Sequence, residues 1–101
     1  MKISKKQKEE IKMQIKNLLS QEQEIQKIIV FGSFINSDTP DDVDIAVFQN
    51  SDKPYLALSM KYRKLMRELI TTIPYDIIPI QPNAKGFFLE NIEAGEIIFE
   101  R

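Results

Sequence analysis

The stretch Ile28–Phe48, IIVFGSFINSDTPDDVDIAVF, determines how the rest of the chain is interpreted. An apolar segment leads into Gly32 and a polar loop, and a second apolar segment opens with Asp42 and Asp44. Because side chains alternate between the two faces of a strand, we expect these two carboxylates on the same face. Like charges held that close repel each other, and a proton or a cation relieves the repulsion. A hard divalent cation with oxygen ligands suits such a pair, although exposed strand acids are the alternative interpretation.

Gly32 and Ser33 directly follow the first apolar segment. Glycine allows a ligand to approach the backbone closely, and backbone N–H groups with a hydroxyl are donors suited to phosphate. A turn that only ends the strand is the alternative. Together with the acids downstream, the pattern predicts a nucleotide site in which a phosphate cradle lies beside a metal clamp.

The spacing of these motifs resembles a known signature. The Gly-Ser pair is followed, after eight residues, by the Asp-Val-Asp tripeptide at 42–44, and a later apolar run, YDII, contains Asp76. This arrangement is similar to that of the DNA polymerase β-like nucleotidyltransferase superfamily, and the short chain is similar to its minimal nucleotidyltransferases. The resemblance extends over Ile28–Arg101.

The resemblance implies a function and a site. Asp42, Asp44 and Asp76 would be the catalytic carboxylates and the ligands of two Mg²⁺ ions, and Gly32 and Ser33 would bind the phosphates of ATP. The reaction would transfer AMP to a hydroxyl of a partner. Minimal nucleotidyltransferases often act as antitoxins that modify a HEPN-type toxin, so a toxin of that type is the expected protein partner. For Asp76, an acid at a strand end that is solvated or paired with Lys or Arg stays the alternative.

The loop after the Gly-Ser pair departs from the pattern of many relatives. Phe34, Ile35 and Asn36 stand where those relatives carry an Arg and a second Gly, and the loop is shorter than usual. These differences favour a second hypothesis, an inactive binding module of the same fold that docks on a partner protein. Phe34, Ile35, Phe87 and Phe88 would form its docking patch, unless they pack in the core or anchor loops.

Composition limits the available chemistry. The 101 residues suit one domain, 1–101, and the chain has no cysteine and no histidine. Thiolate metal sites and histidine-based triads are therefore excluded. Catalysis would depend on carboxylates, hydroxyls, Lys, Arg, Tyr or the backbone, which is the set that magnesium-assisted nucleotidyl transfer uses.

Charge and hydropathy bear on location and partners. The net charge of −1 provides no global attraction to nucleic acid or to an anionic membrane. No apolar run has the length of a signal peptide or of a membrane span. We therefore expect a cytoplasmic protein that does not bind membranes or nucleic acid.

Periodicity predicts an α/β (α+β) fold in which helices cover a small mixed β-sheet. An N-terminal helix, 1–24, precedes a core, 28–101, and the Gly-Ser turn and the three aspartates are expected to meet at one end of the sheet. The predicted strands are 25–31, 43–48, 75–80 and 96–101, and the predicted later helices are 55–70 and 83–93.

Overall fold

A computed structural model of the protein describes residues 2–69, 73–84 and 86–101, and only the backbone of residues 87 and 88. Helices and strands alternate along most of this chain, and a 3₁₀ turn at Met66–Glu68 extends the third helix. The elements in chain order are α1 (Lys5–Leu19), β1 (Ile25–Phe31), α2 (Ser33–Asn36), β2 (Val43–Gln49), α3 (Tyr55–Leu65), β3 (Tyr75–Ile80), α4 (Phe87–Glu93) and β4 (Glu96–Glu100).

The described strands form one mixed sheet in the order β3-β2-β1-β4. β1 pairs antiparallel with both β2 and β4, whereas β2 and β3 are parallel. Parallel pairing requires a crossover connection, and α3 supplies it. Pro79 lacks the N–H that a second neighbour would need, which is consistent with the position of β3 at an edge of the sheet. The predicted mixed α/β fold is confirmed.

The sheet is covered on both faces by apolar side chains. α1 and α3 pack on one face, where the buried side chains include Ile15, Ile28, Ile45, Tyr62 and Ile77. α4 packs on the other face, where they include Ile29, Phe31, Ala46, Phe48 and Ile92. The near-continuous apolar sequence of β1 follows from this, because alternate residues of a central strand enter different clusters. Across the described ranges, no helix combines the length and apolarity that a membrane crossing requires.

A capping box begins the N-terminal helix at Ser4. The Ser4 hydroxyl accepts a hydrogen bond from the Gln7 backbone N–H at 3.1 Å, and the Gln7 side chain accepts one from the Ser4 N–H at 2.8 Å. The predicted continuation to residue 24 is wrong, because α1 ends at Leu19. The turn that follows places Glu24 against α3, where its carboxylate accepts hydrogen bonds from Lys61 and Tyr62 at 2.9 and 3.1 Å.

Two later helices are also shorter than predicted. α3 ends at Leu65 before the 3₁₀ turn, and the predicted end at Ile70 lies outside the described residues. α4 begins at Phe87 and not at the predicted position 83, because Asn83 lies in a turn closed by a hydrogen bond from the Ala84 N–H to the Gln81 carbonyl.

Gly95 allows α4 and β4 to join directly beside the central strand. A Cβ atom at this position would lie 2.4 Å from the Val30 carbonyl oxygen and 2.7 Å from the Phe31 Cβ. These neighbours belong to β1, so they cannot move without disturbing the sheet. The sequence pattern predicts Gly95 only as a helix-ending residue, whereas the structure shows that it is required for close packing.

We predict that Gly95→Ala lowers the free energy of unfolding by about 1–3 kcal/mol, the usual cost of forcing an extra carbon into a packed interior. Urea denaturation measures the change. Asn91→Ala, an exposed substitution on α4, is the control and should change stability by less than about 0.5 kcal/mol. Equal stability of both variants would contradict the close packing at Gly95.

Candidate active site

The structure brings together the three aspartates that the sequence predicts. One carboxylate oxygen from each of Asp42, Asp44 and Asp76 lies within 4.8 Å of the others. Asp44 and Asp76 are paired across the parallel strands β2 and β3, and Asp42 directly precedes β2. Because parallel strands run in the same direction, acids near the start of each strand lie side by side. The predicted convergence at one end of the sheet is therefore observed.

The acids lie on the α4 face of the sheet. Asp44 alternates with Ile45 along β2 and shares its face with Ala46, which packs under α4. Val43 and Ile45 point to the opposite face, into the cluster under α1 and α3. The same alternation of side chains therefore places the Asp44 carboxylate outside the apolar cluster under α1 and α3.

Gly32 lies directly against Asp44. Phe31 is paired with Asp44 across β1 and β2, so Gly32 enters the site as the next residue. Its backbone has φ +79° and ψ −153°, a region that essentially only glycine adopts. A Cβ atom at Gly32 would lie 2.5 Å from Asp44 Oδ2. The backbone conformation requires glycine here, and a side chain at this position would displace the Asp44 carboxylate.

The electrostatics of the cluster are unfavourable for three free carboxylates. Burial raises the pKa of the Asp44 carboxyl, and the neighbouring charges of Asp42 and Asp76 raise it further. Asp42 and Asp44 are half-buried, whereas Asp76 is exposed. A bound cation would favour the ionised form of Asp44, because it offsets both neighbouring charges.

The donor set fits Mg²⁺. Hard oxygen ligands from one or two carboxylates are typical of Mg²⁺ sites that also bind substrate phosphates. Carboxylate oxygens within 4.8 Å of one another can contact a shared ion after small side-chain rotations. Asp41, in the loop before β2, is exposed and lies outside this cluster.

Ser33 begins α2, and the loop that follows is held by apolar packing and by Lys8. The sequence predicts a loop after the Gly-Ser pair, but the structure has a four-residue helix at its start. There the N–H groups of Ile35 and Asn36 donate to the Gly32 carbonyl at 3.1 and 3.2 Å. Lys8 of α1 donates a hydrogen bond to the Ser37 carbonyl.

Phe34 does not form part of an exposed docking patch. Its side chain is fully buried in the cluster under α1 and α3, and Ile35 is half-buried against the same cluster. The loop-anchoring interpretation of Phe34 is therefore the correct one. The side chains of Phe87 and Phe88, also assigned to that patch, lie outside the described residues.

Arg63 is a neighbour of the site that the sequence pattern does not single out. One guanidinium nitrogen lies 3.7 Å from Asp76 Oδ1, and both side chains are about half-exposed. Asp76 therefore pairs with a basic side chain, as the alternative interpretation predicts. It also belongs to the carboxylate cluster. Helical periodicity places Arg63 on the outer surface of α3, and only the packing of α3 beside β3 brings it to Asp76.

Comparison with known proteins agrees with this geometry. A family model described as polymerase beta, nucleotidyltransferase, matches residues 13–101. The chain therefore belongs to the polymerase β nucleotidyltransferase family, as the motif spacing predicts. A search of curated protein sequences returned no significant match.

Two solved toxin–antitoxin complexes contain chains of similar fold. One is the complex of tri-AMPylated Shewanella oneidensis HEPN toxin with MNT antitoxin, where the TM-score is 0.68, the identity is 21%, and the match covers 93% of this chain and 73% of that chain. The other is the MntA–HepT complex, with a TM-score of 0.66, 20% identity, and coverage of 92% and 73%. These likenesses confirm the small nucleotidyltransferase fold.

We predict that Mg²⁺ stabilises the wild-type protein and that Asp44→Asn removes this effect. At a Mg²⁺ concentration 100 times Kd, the gain would be about 2.7 kcal/mol, measured as a rise in Tm. Without Mg²⁺, Asp44→Asn should unfold at a higher temperature than wild type at neutral pH, because it removes a charge whose ionised form is disfavoured in the fold. Asp41→Asn is the control and should respond to Mg²⁺ as wild type does; an equal response of Asp44→Asn would contradict the site.

A second prediction concerns Gly32. Gly32→Ala and Gly86→Ala both place a side chain at positive φ, +79° and +138°, so each should cost about 1–3 kcal/mol of stability. A Cβ at Gly86 meets no atom of the described residues within 4 Å, whereas one at Gly32 meets Asp44. Only Gly32→Ala should therefore also lose the Mg²⁺-dependent rise in Tm. Loss of that rise in both variants would show that general destabilisation, and not contact with the carboxylate, is the cause.

Proposed function

We propose that this protein is a Mg²⁺-dependent nucleotidyltransferase that transfers AMP from ATP to a hydroxyl group of a partner protein. The observation that carries the proposal is the convergence of Asp42, Asp44 and Asp76 beside the backbone of Gly32. Family membership supports the reaction class. The chain has no histidine or cysteine, so carboxylates are its plausible acid–base groups.

In the proposed reaction, the acceptor hydroxyl oxygen forms a bond to the α-phosphorus of ATP. The bond from that phosphorus to the oxygen bridging to the β-phosphate breaks, and pyrophosphate leaves. The hydroxyl proton passes to the carboxylate of Asp76, the most exposed of the three acids. Gly32 leaves room for the phosphates at the backbone, and the Ser33 hydroxyl donates a hydrogen bond to them. Catalysis of this kind consists mainly of positioning and of charge stabilisation.

Asp42 and Asp44 would hold Mg²⁺, with Asp76 as a further ligand, and we expect two ions at this site. When bound, Mg²⁺ supplies positive charge that stabilises the attacking and leaving oxygens. The carboxylates themselves fix where that charge lies, because β2 and β3 hold two of them in register.

We further propose that the acceptor is a HEPN-type toxin and that the protein acts as its antitoxin in the cytoplasm. Support comes from the fold likeness to chains of two toxin–antitoxin complexes, one of which contains a tri-AMPylated toxin. The net charge of −1 gives no reason to add nucleic acid as a partner.

The test is transfer of label from α-labelled ATP to a purified HEPN-type toxin in the presence of Mg²⁺. Asp44→Asn and Asp76→Asn should each reduce the rate by roughly 10²–10³-fold, the scale expected when one preorganised group that stabilises the transition state is removed. Asp41→Asn is the control and should transfer at the wild-type rate. Transfer that persists unchanged in Asp44→Asn would refute the assignment.

A second candidate is the inactive docking module. It is favoured by the loop after Gly32, because residues 34–41 contain no Arg that could contact the nucleotide. Isothermal titration with MgATP separates the two candidates. Absence of nucleotide binding together with retained binding of a toxin would favour the module, whereas MgATP binding that depends on Asp44 favours the enzyme.

A further inference from the structure

The outward side of α3 carries an unusual combination of exposed residues. Leu56, Met60, Arg63 and Arg67 follow one another at helical spacing, and all are exposed. Leu56 and Met60 are 68% and 63% exposed, values that are high for large apolar side chains. We call these four residues the α3 ridge. The inward side of the same helix is fully packed, so the exposure of the ridge is not a result of loose packing. Adjacent exposed apolar side chains on a helix mark candidate interaction surfaces.

The α3 ridge lies in a basic segment of an otherwise slightly acidic chain. Residues 54–67 contain four Lys or Arg and no Asp or Glu, whereas the net charge of the chain is −1. Lys61 is directed back to the protein, where it pairs with Glu22 and Glu24 at 2.6 and 2.9 Å. Arg63 and Arg67 are left on the outward side with the two apolar residues. The ridge therefore suits a surface that contributes apolar side chains and carboxylates.

Arg63, the third residue of the α3 ridge, reaches the candidate active site. Arg63 lies 3.7 Å from Asp76 on β3, the edge strand, whereas Gly32 follows β1 on the other side of Asp44. If the phosphates of ATP lie against Gly32, pyrophosphate leaves toward β1. In an in-line displacement the attacking oxygen enters opposite the leaving group, and so from the β3 side. The ridge extends roughly 16 Å along α3 and its 3₁₀ extension, and Arg63 connects it to this side of the site.

We propose that the α3 ridge is the surface on which the acceptor protein docks. The occupant is a protein that presents its acceptor hydroxyl among apolar side chains and carboxylates. Leu56 and Met60 bind its apolar residues, and Arg63 binds a carboxylate next to the acceptor hydroxyl. This pairing places the hydroxyl beside Asp76. The inference rests on the proposed nucleotidyl transfer and adds to it the choice of acceptor.

The test measures transfer of label from α-labelled ATP to a HEPN-type toxin at varied toxin concentration. Met60→Glu and Arg63→Glu should each lower kcat/KM for the toxin by about 10-fold or more, mainly through a higher KM, since a few central residues dominate most interfaces. Met13→Glu is the matched control, because Met13 is 57% exposed on α1, away from the ridge, and it should stay within about 2-fold of wild type.

Two further measurements separate a defect in acceptor docking from a defect in the nucleotide site. The MgATP-dependent rise in Tm reports on the nucleotide site of Met60→Glu, and it should persist. Replacing an acidic residue of the toxin near its acceptor hydroxyl by Arg should restore transfer by Arg63→Glu.

Each remaining outcome is informative. Equal effects of Met60→Glu and Met13→Glu would overturn the docking surface while nucleotidyl transfer by wild type still stands. Loss of MgATP stabilisation in Met60→Glu would also overturn it, because the defect would then lie in the nucleotide site. A wild-type protein that transfers no label refutes the proposed function and this inference together.

Discussion

Repulsion among three carboxylates is the constraint on which the rest of the site depends. The parallel pairing of β2 with β3 sets Asp44 beside Asp76, and the tight turn into β2 adds Asp42. Burial and the two neighbouring charges raise the pKa of Asp44, so the fold holds an arrangement that is unfavourable without a cation. The apolar packing of β2 on both faces supplies the stability that maintains it. Such a site suits a cation because the protein has already brought the negative charges together.

The order of the strands also gives the site two different sides. β1 brings the backbone of Gly32 to one side of Asp44, and β3 brings Asp76 and then Arg63 of α3 to the other. A phosphate chain and an acceptor hydroxyl must approach a transferred nucleotide from opposite directions. The sheet therefore separates a side suited to the nucleotide from a side suited to the acceptor, and the exposed surface of α3 adjoins the second.

Much of this arrangement is predictable from local sequence. Strand periodicity and flanking turns give the bounds of β1 and β3, and the motif spacing identifies Gly32, Asp42, Asp44 and Asp76. Features that depend on contacts between distant segments are not predictable in this way. α1 ends at Leu19 and Glu24 pairs with Lys61 of α3, Gly95 is required by the nearby Val30 carbonyl, and Arg63 reaches Asp76 through the packing of α3. Phe34 is a similar case, since its apolar character fits an exposed patch and a buried anchor equally, and only the tertiary structure decides.

The most direct test of the central claim is anomalous scattering from crystals grown with Mn²⁺ and a non-hydrolysable ATP analogue. The account predicts an anomalous peak within about 2.0–2.2 Å of carboxylate oxygens of Asp42 and Asp44, with the phosphates of the analogue against Gly32 and Ser33. A map in which Mn²⁺ binds elsewhere, or in which the analogue binds on the β3 side away from Gly32, would contradict it.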